Sequence, residues 1–248
     1  MEATEGHLLG GRIRYAQPRT GFRSGIEPVL LAAAVPARSG ERVLEAGSGA
    51  GAALLCLAAR VPGISCVGVE RDAELASLAA SNAMANGWAD MTFIATDIGT
   101  LPSLGLFDHA CANPPYHHAA GTASCLPARD AAKRAPPGLV AHWVSILGRM
   151  LRPGGTLTII ASASRLPEAL HGFDGADCAA ATLLPLWPKA GRAAKLILMQ
   201  GVKGARSRFQ VSPGLTLHAP DGKFTIEADG ILKEGGALSF GRSSTRTG

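Results

Sequence analysis

The sequence predicts an α/β domain whose central sheet is mostly parallel and is covered by helices on both faces. Three observations lead to this prediction. Strand-like and helix-like segments alternate along the chain, the strands are apolar without interruption, and glycine or proline turns separate the elements. The length of 248 residues suits one such domain with a full core.

The elements can be assigned in chain order. Residues 7–24 are polar with several glycines, which indicates a hairpin or loop, and residues 26–35 favour a short helix with Pro28 in its first turn. Strands are then predicted at 42–46, 65–70, 91–96, 107–112 and 156–161, with further candidates at 183–187 and 195–200. Helices are predicted at 52–60, 73–86 and 137–151, with a loop at 117–137.

Composition restricts the class of protein. Hydrophobic residues make up 47% and charged residues 17%, which is typical of a globular chain. The net charge of +5 is compatible with a polyanionic partner such as RNA, although many proteins reach it without one. The five cysteines form no C-x-x-C pair, which argues against a zinc site or a disulfide framework. With no signal-peptide pattern and no apolar run near about 18 residues, we expect a cytoplasmic protein outside the membrane.

A ligand site is predicted where three successive strands end. The first strand runs into a turn that contains Gly47, Gly49 and Gly51, where side chains would block a ligand lying across the strand end. Glu70 ends the second strand, where a carboxylate can accept both hydroxyls of a ribose, and Asp97 follows the third, where a carboxylate can accept from an adenine amine. Each acid alone could equally cap a helix or lie in solvent. Their position at consecutive strand ends favours the ligand interpretation.

The fourth strand ends in a tetrapeptide suited to methylation of a planar nitrogen: Asn113, Pro114, Pro115 and Tyr116. The lone pair of an adenine amine or a glutamine amide is delocalised, so the nitrogen must pyramidalise before it can attack. The Asn113 side-chain oxygen and the Pro114 carbonyl can accept its two N–H groups and favour that geometry. Proline stiffens the loop, and Tyr116 offers a ring for stacking. Neither a base of unusual pKa nor a metal is required. The alternative is a plain turn.

These segments resemble the class I S-adenosylmethionine methyltransferases of the NPPY amino-methylating group, through VLEAGSGAG, Glu70, Asp97 and NPPY. The resemblance implies a doubly wound, Rossmann-like, mostly parallel sheet of seven strands in three α/β/α layers. It implies that Glu70 holds the ribose of S-adenosylmethionine, that Asp97 holds the adenine and that the three glycines line the methionine end. Glu45, Arg71 and Asn113 complete the predicted donor-binding set.

More of the chain resembles the bacterial valine-tRNA adenine-N6-methyltransferase family. The shared segments are GRIRYAQPRTGFRSGIEPVLLAAAVP, AAKLILMQGVKG and LTLHAPDGKFTIEADGIL, so the resemblance covers roughly residues 8–238. It implies an adenine in tRNA as the substrate, which must leave its stack to react. Side chains that could then touch RNA are Arg23, His117, Arg192, Lys195, Lys203 and Arg206, and each could equally belong to a solvated surface.

We therefore expect a single domain over residues 1–248. It divides into an N-terminal extension at 1–36, a catalytic core at 37–232 and a flexible tail at 233–248. The sequence does not indicate an oligomeric state.

Other functions stay open at this point. A ribosomal-RNA amine is a possible target. A protein glutamine is another, although enzymes of that kind carry a helical domain before the cofactor fold and only about 40 residues precede Glu45 here. A Rossmann oxidoreductase would give Asn113 no role. A non-catalytic RNA- or cofactor-binding protein could use the same fold, but it would not need both acceptors at the NPPY motif.

Overall fold

The computed structural model describes residues 2–20, 24–115 and 137–240. An N-terminal hairpin consists of β1 (Ala3–Leu8) and β2 (Ile13–Pro18). The further strands are β3 (Arg42–Ala46), β4 (Ser65–Glu70), β5 (Thr92–Ala95), β6 (Phe107–Ala112), β7 (Leu151–Ser162), β8 (Ala181–Lys189), β9 (Leu196–Val202), β10 (Gln210–Val211) and β11 (Leu215–His218). The helices are α1 (Glu27–Ala34), α2 (Ala52–Arg60), α3 (Ala73–Ala85), α4 (Leu139–Arg149), α5 (Leu166–Gly175) and α6 (Ile226–Glu234).

The central sheet has the strand order β10-β8-β9-β7-β6-β3-β4-β5, and β11 also pairs with β8. Strand β9 runs antiparallel to both of its neighbours, and the other paired strands are parallel. The chain builds the sheet from β3 towards β5 and then continues from β6 on the other side of β3. That reversal of winding opens a crevice at the carboxyl ends of β3 and β6, where ligands bind in folds of this kind.

Helices cover both faces of the sheet, as predicted. One core cluster joins α1 and α2 to the sheet and includes Leu30 and Leu54, and the other joins α4 and α5 and includes Val144 and Phe173. The predicted seven strands correspond to β3–β9, and the short strands β10 and β11 extend the sheet beyond β8.

Two predicted boundaries in the second half of the chain are wrong. Strand β7 begins at Leu151 rather than Thr156, because the proline-glycine segment after Leu151 joins the ladder: Gly154 N donates to Lys203 O at 3.0 Å. The flexible tail does not begin at residue 233, since α6 continues to Glu234. Gly235 then turns the chain back, and Leu238 is buried with its N–H on Ala33 O at 2.8 Å. Residues 241–248 lie outside the described part of the chain.

The N-terminal hairpin is attached to α3 by two asparagine side chains one helical turn apart. Asn82 is 3% exposed, accepts from Ala16 N at 2.8 Å and donates to Ala16 O at 2.8 Å and Ala50 O at 3.0 Å. Asn86 makes the same two-point contact with Arg14 in a more exposed position. The unpaired edge of β2 is thereby satisfied by amide groups, and Asn82 joins it to the turn that precedes α2.

We predict that Asn82→Ala lowers the free energy of unfolding by about 3 kcal/mol, because it leaves buried backbone groups without partners. Asn86→Ala is the matched control and should cost about 1 kcal/mol, since water can replace its side chain. Urea denaturation of the two variants measures both changes. Equal losses would show that burial of the Asn82 amide contributes nothing.

Candidate active site

Four strand ends bring the predicted site residues together at one edge of the sheet, which we call the carboxyl edge. Ala46, the last residue of β3, pairs with Val69 of β4 on one side and with Ala112 of β6 on the other. Glu70 at the end of β4 pairs with Ala95 at the end of β5. The glycine turn, Glu70, Asp97 and Asn113 therefore follow adjacent parallel strands.

The glycine turn after β3 is held by backbone hydrogen bonds and by left-handed conformations. Gly47 N and Ser48 N both donate to Val69 O, at 2.8 and 3.1 Å, and the φ angles of Gly47, Gly49 and Gly51 are +67°, +54° and +89°. Only glycine adopts this series without strain. A Cβ on Gly49 would meet no atom within 4 Å among the described residues, so this turn leaves open space above it.

Packing against neighbouring side chains also favours glycine at the other two positions. A Cβ on Gly47 would lie 2.6 Å from the Trp143 ring, and one on Gly51 would lie 3.2 Å from both Ala79 and Phe93. All three glycines were expected to make room for a ligand. At Gly47 and Gly51 the close neighbouring side chains are a further reason for glycine.

Glu70 holds the glycine turn and the start of α3 together. Its carboxylate accepts from Gly49 N through Oε2 and from Asp72 N through Oε1, both at 2.9 Å. Asp72 in turn caps α3 by accepting from Glu74 N and Leu75 N. Each Glu70 oxygen still has acceptor capacity after these bonds. Arg71 is exposed beside it.

Asp97 caps a short 3-10 turn at residues 98–100 by accepting from Gly99 N at 2.8 Å. The carboxylate is exposed at the carboxyl edge, and an oxygen that accepts one hydrogen bond can still accept another. The position therefore serves as a cap and leaves the acid available to a ligand.

Asn113, Pro114 and Pro115 follow β6 directly. Asn113 is half-buried and Pro114 is buried, so the tetrapeptide starts inside the fold rather than on an exposed loop. Tyr116 and His117, which were also predicted to belong to the site, lie outside the described residues, as does Arg23.

Glu45 lies beneath the glycine turn and is 2% exposed. Burial raises the pKa of its carboxyl well above the ordinary value of 4.5, the Glu70 charge raises it further, and a hydrogen bond with the Leu54 backbone lowers it. Its Oε2 atom and the nearby Ser48 hydroxyl are buried without a hydrogen-bond partner among the described residues. Burial thus favours the un-ionised form of Glu45, which lies in the core and is not an exposed ligand of the cleft.

Sequence reasoning missed two side chains of α4. Trp143 is half-buried against Gly47, and His142 Nε2 lies 3.7 Å from the position of a Cβ on Gly99, next to Asp97. The sequence of α4 does not distinguish Trp143 as a site residue, because the apolar spacing of this helix predicts that Trp143 is a core residue like Val140 and Val144. The adjacent His142 and Trp143 could have been noticed in the sequence as candidate site residues. Their position near the glycine turn and Asp97 is visible only in the folded structure.

The basic side chains proposed for RNA divide between the two edges of the sheet. Arg192 and Lys195 lie at the carboxyl edge, because the turn between β8 and β9 is there and Leu196 pairs with Ser162 at the end of β7. Arg206 follows the end of β9 at the opposite edge. Lys203 is also there, and its ammonium donates to two carbonyls at the ends of α4 and α5, at 2.7 and 3.3 Å. These two hydrogen bonds, and the position of Lys203 at the edge opposite the glycine turn, argue against an RNA-binding role for this lysine.

Within the described residues, no three His, Cys, Asp or Glu side chains cluster as a metal site would require. In the same ranges, no helix combines the length and apolar character needed to cross a bilayer.

Solved structures with the same fold are methyltransferases. A predicted O-methyltransferase from Agrobacterium tumefaciens superposes with a TM-score of 0.71 and is 23% identical, covering 86% of this chain and 98% of its own. An S-adenosylmethionine-dependent O-methyltransferase from Thermotoga maritima superposes with a TM-score of 0.55 and is 17% identical, covering 77% of this chain and 69% of its own. At these identities the likeness shows the fold, which is that of the class I methyltransferases.

The family follows from the sequence comparison. Residues 37–182 match the profile of a family described as a methyltransferase domain, and the chain belongs to that family. A tRNA1(Val) (adenine(37)-N6)-methyltransferase of Aeromonas hydrophila is 28% identical over 84% of this chain and 87% of its own length. One of the same name from Actinobacillus succinogenes is 25% identical over 90% and 94%. The protein is a methyltransferase with S-adenosylmethionine as its methyl donor.

The described residues fit this donor. The open space above Gly49 admits a ligand chain close to the backbone, and Glu70 and Asp97 supply acceptors at successive strand ends. The Ser48 hydroxyl, which has no hydrogen-bond partner in the part of the chain that the structure describes, lies in the same turn.

We predict that Glu45→Gln weakens the dependence of stability on pH. The folded protein holds the Glu45 proton more tightly than the unfolded chain does, so its contribution is complete below pH about 4.5 and is lost as the pH rises towards the raised pKa. The difference in unfolding free energy between wild type and Glu45→Gln should therefore decline with rising pH, by up to about 1.4 kcal/mol per pH unit.

Urea denaturation between pH about 5 and 8 measures this difference. Glu227→Gln, at an exposed position in α6, is the control and should run parallel to wild type. A constant gap between wild type and Glu45→Gln across that range would rule out a raised Glu45 pKa.

Proposed function

We propose that this methyltransferase methylates the exocyclic N6 of an adenine in tRNA, at position 37 beside the anticodon. The proposal draws on relatives of that printed name that align with 84–90% of this chain. It also draws on the Asn-Pro-Pro sequence at the end of β6, next to the strand that carries the glycine turn. This second observation carries the proposal, because acceptors for an amine would then lie beside the proposed donor cleft.

The residues of the chain would act by orienting the amine. The Asn113 side-chain oxygen and the Pro114 carbonyl would each accept one N–H of the adenine amino group, which turns the nitrogen lone pair out of the ring plane. The prolines restrict the loop, so the acceptors need little rearrangement during the reaction. As the new N–C bond forms, the methyl–sulfur bond would break and leave a neutral thioether, and the nitrogen would then release one proton to water.

Donor binding falls to the other strand ends. Glu70 would accept the ribose hydroxyls through the capacity left on its two oxygens, and Asp97 would accept from the adenine amine of the donor. When bound, S-adenosylmethionine supplies an electrophilic methyl group on a sulfonium. Glu45, which the sequence places with these residues, would act from beneath by supporting the turn.

The direct test is methylation of an unmodified valine tRNA transcript with radiolabelled S-adenosylmethionine, followed by digestion and nucleoside analysis. The proposal expects N6-methyladenosine at position 37 and no product when that adenine is replaced by guanine. Label that enters ribosomal RNA or a protein glutamine, with none in tRNA, would overturn the assignment.

Asn113→Ala should lower kcat by about 10²-fold or more, because the lost hydrogen bond matters most in the transition state. Single-turnover methylation with saturating tRNA measures the chemical step. The affinity for S-adenosylhomocysteine, measured by calorimetry, should stay close to that of wild type. An unchanged chemical rate would remove Asn113 from the mechanism.

Asp97→Ala should weaken binding of S-adenosylhomocysteine about tenfold, through loss of one charge-assisted hydrogen bond. Asp90→Ala is the matched control, since Asp90 is exposed near the other end of β5 and should leave the affinity unchanged. Equal affinity in the two variants would place the adenine of the donor elsewhere.

A further inference from the structure

The positive charge of the chain is concentrated in one segment. Residues 178–220 contain six Lys and Arg residues and no Asp or Glu, whereas the whole chain has a net charge of +5. The rest of the chain is thus close to neutral. Three of the six cations, Lys189, Arg192 and Lys195, lie at the carboxyl edge, where they would attract a polyanion.

A groove of about 520 Å³ lies within this segment at the carboxyl edge. Its lining includes Trp187 at the end of β8, Arg192 in the β8–β9 turn, and Pro213 and Thr216 from the strand segment beyond β8. The volume is in the range of small-molecule sites, so one nucleotide can enter it.

Trp187 is fixed as a wall of this groove. Its indole N–H donates to Pro213 O at 3.0 Å, and Thr216 is its neighbour in the pairing of β11 with β8. Gly214 adopts φ +86°, and a Cβ there would lie 2.6 Å from the indole nitrogen. Because the indole N–H is already hydrogen-bonded, the Trp187 side chain can contact a ligand in the groove only through its aromatic ring.

Two cations belong to the β8–β9 connection: Arg192 lines the groove, and Lys195 follows three residues later. Arg192 and Lys195 are exposed, and neither side chain forms an ion pair or hydrogen bond with the residues described at 2–20, 24–115 and 137–240. The turn that carries Arg192 is closed by a bond from Arg192 N to Lys189 O at 3.1 Å. A guanidinium held at this place can bind a phosphate through two parallel hydrogen bonds.

The groove lies within reach of a strand bound at the active site. Three strand spacings separate β8 from β6, which is about 14 Å at the usual spacing between strands. A few nucleotides of single-stranded RNA can span that distance along the same edge.

We infer that this groove binds a nucleotide that neighbours the target adenine in the tRNA loop. Its base would stack on the Trp187 ring, its phosphate would contact Arg192, and Lys195 would contact the next phosphate. The inference rests on the proposed function. Aromatic stacking beside free cations is the combination with which proteins hold single-stranded nucleic acid, whereas an acidic peptide would have no use for the fixed ring.

The test measures binding of the valine tRNA transcript by fluorescence anisotropy over a range of salt concentrations, together with methylation kinetics. Arg192→Ala should raise Kd about tenfold and reduce the slope of log Kd against log salt by about 0.7–1. Trp187→Ala should raise Kd about 5–100-fold with little change of that slope, and Trp187→Phe should keep most of the affinity. For both alanine variants, KM for tRNA should rise more than kcat falls.

Arg208→Ala is the matched control, because Arg208 is an exposed cation of the same segment at the opposite edge of the sheet. Its Kd and KM should stay within about twofold of wild type on the groove hypothesis, since a single exposed charge outside the contact adds little. If Arg192→Ala and Trp187→Ala matched Arg208→Ala in Kd and KM, the groove would be excluded as an RNA site.

The two proposals fail in different ways. A wild-type protein that bound the transcript through Trp187 and Arg192 but placed no methyl group on its adenine would refute the proposed function and leave the groove supported. Methylation at adenine 37 with unchanged Kd and KM for tRNA in Arg192→Ala and Trp187→Ala would refute the groove alone.

Discussion

Two backbone N–H groups on the Glu70 carboxylate hold the candidate active site in shape. One comes from Gly49 in the turn after β3 and the other from Asp72 at the start of α3, so a single side chain joins two consecutive strand–helix connections. The glycine turn is conformationally expensive to order, and charge-assisted bonds of this kind offset part of that cost. The acid that the sequence marks as a ligand for the donor is therefore also part of the scaffold.

A second constraint comes from the N-terminal hairpin of β1 and β2, which packs against α3 and the turn before α2. Asn82 satisfies the free edge of β2 and the carbonyl of Ala50 with one amide group, and Tyr15 of the same hairpin is buried with its hydroxyl 2.8 Å from Ser24 Oγ. Burial raises the pKa of Tyr15 to about 12, so the phenol stays neutral. The N-terminal extension thus packs against α2 near Glu45 as part of the same core and does not form a separate segment.

Much of the fold could be predicted because glycine and proline separate unbroken apolar runs in the first half of the chain. The bounds of β3, α2, β4 and β6 agree with the predicted ones, and the site residues at their ends come together as expected. The second half resisted prediction for identifiable reasons. Helix α5 has only ten residues and includes two glycines, which obscures its helical period. The proline-glycine segment after Leu151 has the composition of a turn yet pairs with β9.

From the sequence, the site could be predicted only for residues whose type itself indicates a chemical role. The acids and the Asn-Pro-Pro sequence stand out, whereas the contact of Trp143 with Gly47 depends on how α4 crosses the sheet. Lys203 shows the opposite error, since a lysine in a basic stretch suggests phosphate binding but its ammonium is held by helix carbonyls. Partners that come from distant elements are not encoded in local sequence.

The reversed direction of β9 has a consequence for the electrostatics of the whole molecule. Because this strand carries the chain back across the sheet, a run of cations that is continuous in sequence is distributed to two opposite rims, with Arg192 and Lys195 on one and Arg206 on the other. Cationic side chains therefore lie at both ends of the outer strands rather than in a single patch. A count of charges along the sequence would place these cations on one surface, whereas the strand topology distributes them between two.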